Sequence, residues 1–153
     1  MTSNKKRPVR DSMGELEVDE GALYGAQTQR ALNNFPISGA SMPVQFIKAL
    51  LEIKRAIDNA CLTLLNDPNL TEHFPVDVFQ TGSGTSSNMN VNEVVATLAS
   101  RASGLTINPN DHVNFGQSSN DVIPTAIHFS AVTAVSRDLL PAIDELISAI
   151  SLK

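Results

Sequence analysis

Two polar runs carry the residue types in this chain that can do chemistry on a small anion. Residues 80–94 read Gln-Thr-Gly-Ser-Gly-Thr-Ser-Ser-Asn-Met-Asn-Val-Asn-Glu-Val, and residues 108–121 read Asn-Pro-Asn-Asp-His-Val-Asn-Phe-Gly-Gln-Ser-Ser-Asn-Asp. Each packs hydroxyls, amides and glycines ahead of an apolar-periodic stretch. A helix N-terminus offers unpaired N–H groups and the positive end of its dipole, so such a lead-in holds a carboxylate without a ring of lysines. In the first run Gly82 and Gly84 permit a tight turn and close backbone approach, while Ser83 and Thr85 present hydroxyls. In the second, Ser118, Ser119 and Asn120 are candidates to cradle another part of the same anion. A P-loop is excluded because no Lys lies between Gln80 and Val94, and a dinucleotide fingerprint because only two glycines are present. A capped helix with a polar lead-in explains either run alone, but not two of them close together.

The elements that position these residues follow from periodicity. Asn90 and Glu93 have the spacing of an N-cap and its reciprocal partner, so the first helix is expected from about there, through Val91, Val94, Val95, Leu98 and Ala102, to a stop at Gly104. Asn108, Pro109, Asn110 and Asp111 form a turn, and Pro124 suits the first turn of a long helix reaching residue 153. Its stripe is Ile127, Ala131, Val135, Leu139, Ile143, Leu146, Ile147 and Ile150, and Pro141 is expected to kink it. Upstream, residues 1–10 read as a polar, disordered tail, 13–24 as a short hairpin and 27–34 as a short helix. Pro43 opens a stronger helix whose face is Phe46, Ile47, Leu50, Leu51, Ile57, Cys61, Leu64 and Leu65. Among the histidines, His73 reads as a solvated loop residue, His112 as a member of the second turn, and His128 as a packing or hydrogen-bonding residue.

Composition narrows the function classes. The chain has 153 residues, 42% of them hydrophobic, enough for one core. A net charge of −5 argues against a nucleic-acid or membrane-surface partner, and it leaves local dipoles and hydroxyls to attract an anionic substrate. One cysteine, no transmembrane-length apolar run and no secretory h-region point to a cytoplasmic setting. No His/Cys/carboxylate cluster has metal-ligand spacing, and no cofactor is expected.

At Asp11-Ser-Met-Gly-Glu15, Leu23-Tyr-Gly-Ala-Gln-Thr-Gln-Arg30, residues 80–94 and residues 108–128, the chain resembles the N-terminal part of a class II fumarase of the fumarase/aspartase superfamily. Aspartases tend to carry a small apolar residue at Ser83 and Ser-Thr at Ser118 and Ser119, so the fumarase likeness is the better one. The resemblance implies a mainly α fold: residues 11–122 as an N-terminal helical domain with a short β-hairpin, then 123–153 as the start of a long helical bundle. It implies that Ser83, Gly84, Thr85, Ser118, Ser119 and Asn120 bind fumarate or malate. Asn108, Pro109, Asn110 and Asp111 match a second anion site, where Asn108 replaces the usual His. It implies reversible hydration without metal or cofactor, and a homotetramer in the full-length protein.

The same resemblance places the acid/base groups further along, in a Thr-His pair and a Gly-Ser-Ser-x-Met-Pro-x-Lys-x-Asn loop, neither of which occurs here. No catalytic residue is therefore expected in this chain, and it is expected to be inactive alone. The family also carries extra helix before Phe74 where this chain has only residues 66–73, which predicts a less covered apolar face there. The other readings are a fragment of an aspartate ammonia-lyase-type enzyme and a non-catalytic helical interaction module.

Overall fold

The computed structural model describes residues 5–54 and 59–152. A hairpin of β1 (Lys6–Asp11) and β2 (Gly14–Asp19) leads into α1 (Ala26–Asn34), α2 (Val44–Lys54) and α3 (Asn59–Leu65). These are followed by α4 (Thr85–Ser103), α5 (Ser119–Ala134) and α6 (Leu140–Ser151). The fold is mainly helical with one short hairpin, as expected.

The hairpin begins earlier than the sequence reading placed it. Residues 6–10, expected in the tail, are the first strand, pairing antiparallel with β2 from Lys6–Asp19 to Asp11–Gly14. Their polarity concealed this, because β1 uses charged side chains structurally. The Arg7 guanidinium donates to the carbonyls of Ala22 (2.8 Å) and Tyr24 (3.0 Å). At the turn, Asp11 Oδ1 accepts from Met13 N (2.9 Å), and Gly14 takes φ +117°, a conformation costly to other residues. Arg30 of α1 then grips Asp11 with two nearly parallel bonds of 2.8 and 2.9 Å. That contact holds the Asp11 carboxyl below its ordinary range.

The core lies among α2, α4, α5 and the segments between them. Phe46, Ile47, Leu50 and Leu51 form the buried face of α2, with Cys61 and Leu64 of α3 beside them. Ile57, expected on the same face, falls outside the described residues. Fully burying a side chain of this size contributes about 1.5–3 kcal/mol. The short link at 66–73 contributes to the core. A 3₁₀ turn at Leu70–His73 inserts Leu70, and Phe74 follows it, both buried. His73 is not simply solvated there, since its Nε2 lies 3.4 Å from Asp67 Oδ2.

Helix α4 starts at Thr85, and Asn90 is buried within it rather than capping it. Ser87 through Ala96 are all buried, so the first half of this helix is enclosed on every side. Its polar residues therefore need partners, and Asn90 Nδ2 donates to the His73 carbonyl (3.1 Å). Glu93 crosses to α1, whose N-cap residue Gly25 has no side chain to offer. Its carboxylate accepts from Gly25 N (3.0 Å), Gln27 N (2.9 Å), Thr28 N (3.1 Å) and Thr28 Oγ1 (2.6 Å). At the far end, Gly104 at φ +71° stops α4 as the sequence predicts.

Helix α5 also starts early, at Ser119, so Pro124 lies inside it rather than in its first turn. The expected domain boundary between 122 and 123 falls within α5, where Val122, Ile123 and Ala126 enter the core. Pro141 is accommodated without leaving helical dihedrals. A π-helical turn at Val135–Leu139 precedes it, with Leu140 N bonded to Val135 O, and Pro141 occupies the first turn of α6. His128 is exposed. Helix α6 has no buried residue, and Leu139, Ile143, Leu146, Ile147 and Ile150 are all exposed.

Two predictions follow from this packing. Glu93→Ala strands several helix-start donors in the interior, and each buried unsatisfied group costs about 1–3 kcal/mol. A loss of at least about 3 kcal/mol in urea unfolding is expected, whereas a loss below about 1 kcal/mol would show that α1 does not rely on this clamp. The second concerns Asp77. Burial raises its carboxyl, but bonds from Phe79 N, Ser38 Oγ, Ser38 N and Gly39 N outweigh that and bring it to about 2, below the ordinary 3.8. A depressed folded-state value stabilises the fold above the ordinary value, and that stability is lost as pH falls through about 2. Acid unfolding followed by circular dichroism should therefore be less steep between pH 4 and pH 2 in Asp77→Asn.

Candidate functional site

The first polar run is shaped by two consecutive left-handed residues. Ser83 takes φ 58° and ψ 17°, and Gly84 takes φ 67° and ψ 22°, so the turn Gly82–Gly84 ends abruptly and α4 begins at Thr85. Positive φ at a serine is strained, and such strain persists only where the surroundings enforce it. The Ser83 hydroxyl donates to the Gly82 carbonyl at 2.6 Å. Gly84 cannot cap with a side chain, and Gln80 does so in its place. Its Oε1 accepts from Ser87 N (2.9 Å), while its Nε2 donates to Ser87 Oγ (2.9 Å) and the Asp77 carbonyl (3.0 Å). Sequence reasoning missed Gln80, because a cap five residues ahead of the helix has no local signature.

The second run itself supplies the start of α5. Ser118 is the N-cap and accepts from Asn120 N at 3.3 Å, with Asp121 in the first turn. Ser118 and Asn120 are exposed, and Ser119 is half-buried.

The structure brings these two helix starts together. A Cβ built on Gly84 would stand 3.1 Å from the Ile123 side chain, so the first loop lies directly against α5. One turn into α4, Asn88 Nδ2 donates to Ser119 Oγ (3.0 Å) and to Asn114 Oδ1 (3.2 Å). Asn92 Nδ2 donates to the same Asn114 oxygen at 3.1 Å. Asn88, Asn92 and Asn114 were not singled out from sequence, where an asparagine at a polar helix start reads as a cap. Ser83 and Thr85 are exposed, as are Ser118 and Asn120, and the 82–84 turn packs against α5.

The turn expected to hold a second anion is occupied by its own side chains. Asn108 Oδ1 accepts from Asn110 N (2.8 Å) and Asp111 N (3.0 Å), capping the π turn Pro109–Val113. Asn108 N donates to His112 Nδ1 at 2.8 Å, which fixes that ring structurally. Pro109 borders a cavity of about 450 Å³ beneath the hairpin, also lined by Arg7, Arg10, Thr97, Ser100 and Arg101. Among the described residues, no His, Cys, Asp or Glu group is arranged to hold a metal ion, and no helix is long and apolar enough to cross a membrane.

Gly84→Ala tests the meeting of the loops, since it adds a left-handed strain and a contact on Ile123. It should destabilise the chain by about 1–3 kcal/mol in urea unfolding, and an unchanged midpoint would show that the loop does not rest on α5.

Comparison with known proteins identifies the family. The profile of a lyase family matches residues 14–153. The chain is 57% identical to a Pseudomonas aeruginosa protein named fumarate hydratase class II 2, over 165 positions that cover 96% of this chain and 36% of the relative. It is 56% identical to the class II fumarate hydratase of Xylella fastidiosa, covering 94% of this chain and 34% of that one. Among solved structures, the class II fumarase of Schistosoma mansoni superposes with a TM-score of 0.90 at 38% identity, covering 94% of this chain and 35% of that one. The chain thus spans about a third of the length of these relatives. The 165-position alignment exceeds the 153 residues of the whole chain, so the relative carries residues that this chain lacks.

Proposed function

Because the chain belongs to the lyase family that matches it from Gly14 onward, we propose that it is the substrate-binding N-terminal part of a class II fumarate hydratase. The observation that carries this reading is the convergence of two helix starts, joined through Asn88 and Ser119, on one open surface. Ser83, Gly84 and Thr85 from one side and Ser118, Ser119 and Asn120 from the other hold a carboxylate of fumarate or malate. The reaction adds water across the double bond, with hydroxyl joining one carbon and a proton the other. Negative charge builds on the carboxylate next to the carbanion, and donors fixed there lower the barrier. The acid and base come from the remainder of the enzyme, so this segment alone is inactive.

Residues 108–111 act with a second anion only if the Asn108 cap opens. Residues 123–153 begin the central bundle, and the exposed stripe on α5 and α6 is the surface through which the full-length protein becomes a homotetramer. A cytoplasmic location, no cofactor and no nucleic-acid or membrane partner complete the reading. It differs from the interaction-module reading in requiring affinity for a dicarboxylate.

The test is a hybrid in which this chain replaces the matching third of the Pseudomonas aeruginosa relative. The hybrid should hydrate fumarate, and Ser83→Ala or Ser119→Ala should lower kcat/KM by about two to three orders of magnitude. Near-normal turnover in both variants would remove the loops from the site. Self-association of the chain with no heat of malate binding would favour the interaction module.

A further inference from the structure

The directions of the amides behind Ser119 follow from Asn114. Asn114 Nδ2 faces the Gln117 carbonyl at 3.4 Å, and a carbonyl oxygen can only accept. Asn114 therefore turns its Oδ1 toward α4, where Asn88 and Asn92 both meet it. An oxygen acceptor obliges each of them to present its NH₂ group. The Asn88 NH₂ also lies 3.0 Å from Ser119 Oγ, so Ser119 accepts there. Its own proton has no acceptor among the described residues and is free to be donated outward. The arrangement leaves Asn88 Oδ1 and Asn92 Oδ1 enclosed without a partner.

We propose that Asn88, fully buried and outside the substrate contact, is a positioning residue that fixes Ser119 as a hydrogen-bond donor to the substrate carboxylate. A free serine hydroxyl rotates and accepts as readily as it donates. With one lone pair engaged by Asn88, the hydroxyl is held in place and its proton is left to point at an anion on the open side. The amide thus sets the polarity of the cradle from one turn inside α4, and the inference rests on the hydratase reading above.

The experiment is a double-mutant cycle in the hybrid enzyme, with Asn88→Ala, Ser119→Ala and the pair. Asn88→Ala should lower kcat/KM for fumarate by about ten- to a hundredfold, less than outright removal of a donor. In the Ser119→Ala background the same change should cost less than about twofold, because Asn88 acts through that hydroxyl. Multiplying losses would overturn the positioning role while leaving the hydratase reading intact. No loss from Ser119→Ala would overturn this inference alone, whereas a parent hybrid that does not hydrate fumarate would overturn the hydratase reading.

A second measurement, on the 153-residue chain itself, does not depend on folding of the Asn88 variant. The Asn88 side-chain amide protons should exchange slowly by NMR, and Ser119→Ala should release one of them. Fast exchange in the parent chain, or protection unchanged by Ser119→Ala, would overturn the assignment.

Discussion

The constraint on which most of this fold depends is a carboxylate held where carboxylates are rare. Glu93 sits in the enclosed half of α4 and takes every donor at the start of α1 that comes within reach. Burying a charge is costly unless it is fully hydrogen-bonded, and here the donors and the positive end of the α1 dipole supply that compensation. The approach is so close that a Cβ on Gly25 would stand 2.9 Å from Glu93 Oε1. From this contact the connections run outward, as Arg30 on α1 holds Asp11 and Arg7 on β1 holds the segment between hairpin and helix. Residues 5–34 are thus tied together by a chain of polar contacts that starts from Glu93 of α4.

Helix α4 is accordingly both the core of the chain and the platform of its site. Its buried asparagines are hydrogen-bonded outward to three neighbours: the turn at His73, the loop at Asn114 and the start of α5. A polar helix enclosed in this way fixes its neighbours in direction as well as distance, because each amide must find a partner of the right polarity. This suits a surface that must present hydroxyls to an anion in one arrangement. The same rigidity explains how a serine is kept in left-handed backbone beside Gly84.

Much of this was legible in the sequence. The apolar faces of α2 and the stripe of α5 and α6 were clear from spacing, as was the stop at Gly104, and the two polar runs led to the lyase family. What failed has a common cause. The hairpin strand was taken for a tail because Lys6, Arg7 and Arg10 look solvated, although Arg7 bonds two carbonyls of a distant segment. The starts of α4 and α5 were placed five or six residues late because Asn90 and Pro124 carry familiar start signals. The α5 start is capped locally by Ser118, whereas the α4 start depends on strained backbone and on Gln80, and a cap supplied across a turn has no fixed spacing to recognise. The asparagine network was invisible for the same reason, since its partners lie 22 to 31 residues apart in sequence.

The central claim is that the two helix starts form one carboxylate cradle. The most direct measurement is the position of malate in a crystal of the hybrid enzyme. The account predicts a carboxylate oxygen within about 3 Å of Ser119 Oγ, on the surface shared with residues 83–85. Malate bound with both carboxylates away from residues 83–85 and 118–120 would contradict it.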